Sequence, residues 1–404
     1  VDFWSNTGSG VETLNGGASS KMSPIYTNRY TLTTGARDQS IINTGNLFSP
    51  NNNQIPTPGV AGEERRELLK WAGGMDTMDI DGDGDSEETR PSLGDMINTK
   101  PVLAYYGNDE SVVFTGTNEG FLHAFDAENG EHLYSFMPPE LLSELTGLRD
   151  QGVDKTFGID GVLKVYQSDK HNTYQLEDDE QLYLFMGLRR GGEALYVLNI
   201  TDRNNPKVAW RISTVHQQFA DIGQSWTSPE IVKIPWTNNT EKEVVIIGGG
   251  LDERYQNNEN PTNTKGSQLY VIDLETGDVI TTVNSRDIPS LSQSVINKSI
   301  SIDADMNGTI DATFFNDVRG NIYRCDIKQR NKNAKPTFTC GVQAQAQGNN
   351  ENLFFFNAMD AALTNSPATG QLMVSLTITS GNRFMPTERQ EQNRLVTFFV
   401  PLSQ

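Results

Sequence analysis

The chain has no apolar run of 18 or more residues, so nothing in it reads as a membrane-spanning helix. It has no Lys/Arg cluster, and its net charge is −20, which excludes the basic footprint of nucleic-acid binding. It has four histidines, His123, His132, His171 and His216, none at metal-ligand spacing on a helix and none beside a nucleophile motif. No GxSxG, HExxH, phosphate loop or dinucleotide fingerprint is present, which argues against an enzyme. The chain opens on Val1 with no charged-then-apolar leader and reads as a fragment or processed product, so a missing leader says nothing about export.

Cysteine is also scarce. The two residues, Cys325 and Cys340, form an even set in a chain that otherwise avoids sulfhydryls. That favours a disulfide in an oxidising compartment, tying a strand to the loop after it. Two buried free thiols are the alternative.

What the chain does have is repetition. The runs VVFTGTNEGFLHAFDAENG (112–130), LYLFMGLRRGGEALYVLNITD (182–202) and ATFFNDVRGNIYRCDI (312–327) each read as strand, turn, strand. VVIIGGG (244–250) pairs in the same way with SQLYVIDLETG (267–277), and LMVSLTITSGN (372–382) with NRLVTFFVPL (393–402). Leu122, Leu195, Leu269, Ile322 and Leu395 hold one place in these units, at spacings of 73, 74, 53 and 73 residues. In four of the five the second strand ends in Asp or Asn. A lone hairpin cannot bury both faces, so similar hairpins are expected to stack around an axis, one per sheet. The fold class expected is all-β, a modified β-propeller with a few short helices. A β-sandwich of hairpins is the alternative. One domain over 1–404 is expected, with polar segments, a helix and an acidic loop in 1–95 and clear blade repeats in 96–404.

The polar N-terminal part carries strand-like pieces at Ser23–Leu32 and Asn46–Phe48. Residues 62–71 read as a short helix with Leu68, Leu69 and Trp71 on its apolar side, stopped by Gly73-Gly74. A second helix is expected from Pro138-Pro139, burying Leu141, Leu142, Leu145 and Leu148. The Arg189-Arg190-Gly-Gly run reads as a solvated hairpin tip, and Trp226 as a core or inter-blade aromatic.

Two acidic runs carry chemistry. In DADMNGTID, Asp303, Asp305, Asn307, Thr309 and Asp311 occupy positions 1, 3, 5, 7 and 9 of a calcium loop, with Gly308 at position 6. Calcium takes six to eight oxygens, and alternating short side chains wrap several of them around one ion. Position 12, normally a bidentate Glu, is Phe314, and the loop runs into a strand. Solvated acids on an Asn-Gly turn are the alternative. In DIDGDGDSEETR, Asp79, Asp81, Asp83, Asp85 and Glu87 fill the same template, with an acidic linker as the alternative.

GTNEGFLHAFDAENG resembles the quinoprotein-type propeller repeat. The order of an ELLKW helix, the acidic run, RPSLGDMINTKPV (90–102), GQSWTSPEIV (223–232) and DADMNGTIDATFFNDVRGNIYRCDI (303–327) resembles the C-terminal domain of PilY-type proteins of bacterial type IV pili. That resemblance implies seven blades and calcium held by Asp303, Asp305, Asn307, the Thr309 carbonyl and Asp311. It also implies export to the pilus tip, outer surface or periplasm, and contact with minor pilins and with host or abiotic surfaces. The implied roles are pilus extension and retraction, twitching motility and attachment. The family's loop usually has Asp where this chain has Asn307, which lowers the ligand charge. A quinone-dependent dehydrogenase would resemble its relatives in a vicinal Cys-Cys ring, which Cys325 and Cys340 cannot form. A generic protein-binding propeller is the third reading.

Overall fold

The computed structural model describes residues 17–22, 27–32, 39–108, 110–152, 154–168, 170–171, 173, 175–262, 264–348, 352–366, 369–387 and 392–402. The chain divides into two compact units, Val1–Ile212 and Ser213–Gln404.

In the first unit, β1 (Arg29–Tyr30), β3 (Val102–Gly107), β4 (Glu110–Gly116), β5 (Leu122–Asp126) and β6 (His132–Phe136) form one sheet. Its order is β1-β6-β5-β4-β3, with β1 added parallel to β6. The second sheet takes β2 (Gln39–Ser40), β7 (Leu163–Gln167), β8 (Leu182–Gly187), β9 (Ala194–Asn199) and β10 (Lys207–Ser213), in the order β2-β10-β9-β8-β7. β8 and β9 are continuous apolar runs because both of their faces are covered. Leu182, Leu184 and Met186 point into the core shared with the first sheet, while Tyr183 and Phe185 are buried on the opposite face.

In the second unit, β11 (Glu230–Trp236), β12 (Thr240–Gly248), β13 (Leu269–Asp273) and β14 (Val279–Val283) follow in order, as do β15 (Ile300–Ile302), β16 (Ala312–Asn316), β17 (Asn321–Lys328) and β18 (Thr337–Gln345). The fifth sheet has β19 (Asp360–Asn365), β20 (Leu372–Thr379) and β21 (Leu395–Pro401).

The five repeat hairpins fall in five different sheets, and each repeat residue is the first or second residue of the third strand of the sequential meander. Leu122 pairs with Gly116, Leu195 with Gly187, Leu269 with Gly248, Ile322 with Asn316 and Leu395 with Thr379. The fold is mostly β. The recurring Asp at the end of the third strand has a local cause. The Asp126 carboxylate accepts from Glu128 and Asn129 N–H, and Asp273 accepts from Glu275 and Thr276 N–H in the same way. Each side chain closes the turn to the fourth strand, satisfying donors that the ladder leaves unpaired.

The helices are α1 (Gly62–Ala72), which buries Leu68, Leu69 and Trp71, and a 3-10 turn (Pro139–Glu144) leading into α2 (Leu145–Asp150). All four predicted leucines of that second segment are buried. No helix of the described residues is long and apolar enough to cross a membrane. Trp226 is half-buried, its ring 5.7 Å from Phe356 and 6.0 Å from Phe384.

Three expectations about local backbone and exposure change. Residues 44–46 form a 3-10 turn, and only Leu47 bridges to Tyr30, because the Asn43 side chain caps the turn through Gly45 N–H. Of Ser23–Leu32, only Arg29–Tyr30 is a strand, and residues 23–26 lie outside the described residues. Arg189 is no solvated tip. It is 8% exposed, in a left-handed conformation, and donates to buried Asp160 at 3.1 Å.

Cys325 and Cys340, 15 positions apart, are joined by a disulfide. They are directly opposed on β17 and β18 of one sheet, so the bridge links strand to strand rather than strand to loop. Closing a loop of this size contributes about 3 kcal/mol in the chain-entropy model. Cys325→Ser is therefore expected to lower unfolding stability by about that much, checked by urea denaturation. Mass spectrometry under native alkylation should find no free thiol, and two alkylated cysteines would contradict the bridge.

Candidate metal centre

The 303–311 loop joins β15 to β16 across the first hairpin of the fourth sheet. Its two ends are fixed by the ladder, where Ile302 pairs with Ala312. Asp311 is held three ways. Its N–H donates to the Ile302 carbonyl at 2.8 Å, its carbonyl accepts from Ile327 N–H at 2.8 Å, and its carboxylate accepts from Ala304 N–H at 2.7 Å. Asp303 accepts from Asn307 N–H at 3.1 Å and Gly308 N–H at 2.8 Å. Thr309 donates through N–H and hydroxyl to the Asn307 side-chain oxygen at 2.8 and 2.6 Å. Tight reversal of the chain requires left-handed backbone at Met306 (φ 59°) and Gly308 (φ 93°).

The outcome is that one carboxylate oxygen from each of Asp303, Asp305 and Asp311 lies within 4.8 Å of the others. Three like charges at that separation repel unless a cation or protons intervene. All donors in the loop are oxygens, and an all-oxygen set of short side chains suits a hard cation such as calcium rather than zinc or copper. Phe314 at position 12 is fully buried within β16 and pairs across to Ile300 and Arg324. It supplies nothing to the loop, so the residues that would hold the ion are Asp303, Asp305, Asn307, Thr309 through its carbonyl, and Asp311. Calcium there would supply the positive charge that lets the loop close without repulsion.

The second acidic run lies between α1 and β3, closed by a bridge from Met75 to Thr89. Asp79, Asp81 and Asp83 converge within 4.8 Å. Asp85 and Glu87 do not join them. Asp85 caps Glu87 N–H at 2.9 Å, and Glu87 pairs with Lys70 on α1 at 2.8 Å. A second grouping, Asp76, Asp81 and Glu88, forms instead. Asp76 is 3% exposed and accepts from Ile80 N–H at 2.9 Å. The repulsion of Asp83 and Asp81 holds the Glu88 carboxyl above its usual range. Asp76 and Glu88 escaped the sequence template because they lie outside the alternating run, although Asp76 stands three residues before Asp79.

Next to this loop, Arg90 makes a bidentate pair with Glu119 at 2.7 and 2.9 Å and stacks on Trp71 with its guanidinium 4.6 Å from the ring centre. The RPSLGD segment is thereby locked to α1. In the same unit, two buried imidazoles share one hydroxyl. His123 Nδ1 lies 2.7 Å and His132 Nε2 2.8 Å from Ser135 Oγ. Burial, with His132 and Arg29 nearby, holds the His123 pKa far below the usual value, and burial with Arg29 lowers that of His132 to about 3. These histidines are structural.

Four-stranded meander sheets, one of them carrying an acidic loop on its first hairpin, define the class: a β-propeller protein. The profile of the PilY1 β-propeller domain matches residues 104–372, two thirds of the chain, and the chain belongs to that family. A type IV pilus biogenesis factor PilY1 homolog of Xylella fastidiosa is 25% identical over 282 residues, covering 63% of this chain and 21% of that protein. The type IV pilus biogenesis factor PilY1 of Pseudomonas aeruginosa PAO1 is 27% identical over 271 residues, covering 60% and 21%. The chain thus spans about a fifth of the length of these curated relatives. Among solved structures, the C-terminal domain of Pseudomonas aeruginosa PilY1 is similar at a TM-score of 0.49 and 18% identity, covering 73% of this chain and 57% of that one.

The paired imidazoles set a pH dependence. Their folded-state pKa values lie below the unfolded value, so their contribution is complete above about pH 6.5 and is lost as pH falls toward 3. In that window the unfolded chain binds more protons, and each histidine removes up to about 1.4 kcal/mol per pH unit. Urea denaturation at pH 7 and pH 5 should show wild type losing more stability than His132→Gln. Equal losses would contradict the assignment.

Proposed function

We propose that this chain is a calcium-binding propeller module of a type IV pilus biogenesis factor. In this reading the module is exported, works at the pilus tip, the outer surface or in the periplasm, and engages minor pilins. Its calcium occupancy biases pilus extension against retraction and so governs twitching motility and attachment to host or abiotic surfaces. The role is that of a binding and regulatory part, not a catalyst. Family membership supports the pilus assignment, and the relatives' own names carry the word biogenesis.

The observation that carries the calcium part is the convergence of Asp303, Asp305 and Asp311 on a loop whose ends are pinned by the sheet. An ion bound to the folded loop and not to the unfolded chain stabilises the fold by about 2.7 kcal/mol at a hundred times its dissociation constant. Losing it relaxes the loop, while the apolar sheets behind it remain packed. Occupancy can shift a downstream equilibrium only to the extent that the partner distinguishes the two loop states.

Asp311→Ala removes one ligand and the carboxylate that anchors Ala304 N–H. Isothermal titration should show at least a tenfold loss of calcium affinity with an unchanged circular dichroism spectrum. The same substitution in the producing bacterium should alter surface pilus number and twitching, and Asp311→Lys, which puts an ammonium where the cation sits, should move both toward wild type. Unchanged calcium affinity in Asp311→Ala would put the site elsewhere. Unchanged pili with calcium binding lost would separate the ion from pilus control.

A further inference from the structure

A cleft of about 480 Å³ opens beside the 303–311 loop, between the fourth and fifth sheets of the second unit. Ala304, Ala312, Ile327, Leu372 and Leu402 form its apolar wall. Leu372 is 39% exposed there, at the first position of β20. Asp305 and Asp311 of the loop line the same cleft.

The other charged groups lining the cleft are Arg324, Asp326 and Lys328. Arg324 is fully engaged. Its Nε donates to Asp326 at 2.8 Å, and its two terminal nitrogens donate to the Pro401 and Leu402 carbonyls at 2.8 and 2.9 Å. The Arg324–Asp326 pair is therefore neutral and structural, and it fixes the cleft's far wall. Lys328 is exposed. Three loop carboxylates against this one ammonium leave two uncompensated negative charges beside the cleft. A bivalent cation in the loop cancels them.

Counted at one oxygen per residue, the loop also offers fewer ligands than a full calcium shell. Five residues offer oxygens, the twelfth position is a buried Phe314, and calcium takes six to eight ligands. Two of the five residues that would hold the ion, Asp305 and Asp311, line the cleft, so the cleft adjoins the ion's place. A carboxylate is the hard oxygen anion suited to that position. Without the ion, the same carboxylate meets uncompensated like charge.

We propose that this cleft is a calcium-gated docking site for an acidic, partly apolar peptide segment of a partner protein. The segment's carboxylate completes the calcium shell, and its apolar side chains cover Leu372 and Leu402. The inference rests on the calcium reading above and gives it a mechanism: the ion is part of the binding surface, so its loss removes the partner's anchor and reverses the local charge balance. The apolar wall distinguishes a peptide from a free small carboxylate, which would leave that wall wet.

The test uses the whole chain and two blocked peptides, acetyl-Leu-Asp-Leu-amide and its neutral isostere acetyl-Leu-Asn-Leu-amide. Binding is followed by ligand-observed NMR in calcium and in EDTA, with acetate as competitor and calcium binding measured in parallel by calorimetry. The acidic peptide should bind at least tenfold more tightly than the amide in calcium, lose that preference in EDTA, and resist displacement by equimolar acetate. Leu372→Glu, at an exposed strand end outside the loop, should cut peptide binding at least tenfold while keeping wild-type calcium affinity. Equal binding of the two peptides, binding unchanged in EDTA or in Leu372→Glu, or equal competition by acetate would overturn the proposal. If wild type binds no calcium, the calcium reading itself falls. If it binds calcium without preferring the acidic peptide, only the docking site does.

Discussion

The repulsion among Asp303, Asp305 and Asp311 is the constraint on which the functional account depends. Short acidic loops in water ordinarily spread their charges apart. Here the β15–β16 ladder fixes both ends, and Asp311 is tied down through its N–H, its carbonyl and its carboxylate. The sheet thus does the electrostatic work of holding like charges within 4.8 Å. Backbone N–H groups of Ala304, Asn307 and Gly308 offset part of the cost, because hydrogen bonds to a carboxylate are stronger than neutral ones. A bound cation would offset the rest. The acidic loop is therefore a product of the sheet: the β15–β16 hairpin that opens the fourth sheet also brings the three carboxylates together.

The same logic explains why the second acidic run behaves differently. It is closed by one isolated bridge, Met75 to Thr89, rather than by a ladder. Its carboxylates split into two overlapping groups that share Asp81, and two of the predicted ligands are drawn off, one as a turn cap and one into a surface pair with Lys70. A loop with weaker ends distributes its charge among several partners.

Much of this was readable from the sequence where the determinants are local. The alternation of short ligands in DADMNGTID, the place of Leu122, Leu195, Leu269, Ile322 and Leu395, and the terminal Asp126 and Asp273 all act within a few residues, so the pattern survives in one dimension. What was missed depends on residues distant in sequence. Arg189 looks like a turn tip until Asp160, 29 positions earlier, is placed against it. Cys340 looks like a loop residue until β18 is seen to run beside β17. The cleft is invisible in the sequence because Leu372 opens β20 and Leu402 follows β21, while the carboxylates come from the loop between β15 and β16. Asn43, whose side chain caps a 3-10 turn, overrides the strand-like reading of 46–48.

The central claim is that the β15–β16 hairpin holds a hard cation through oxygens of one loop. A crystal structure of the chain grown with calcium tests it most directly. The account predicts a density peak among Asp303, Asp305 and Asp311 with an anomalous signal, ligated by those carboxylates, the Asn307 side-chain oxygen and the Thr309 carbonyl at about 2.3–2.6 Å. An ordered water at hydrogen-bond distances in that position, with the ion found elsewhere or absent, would contradict it.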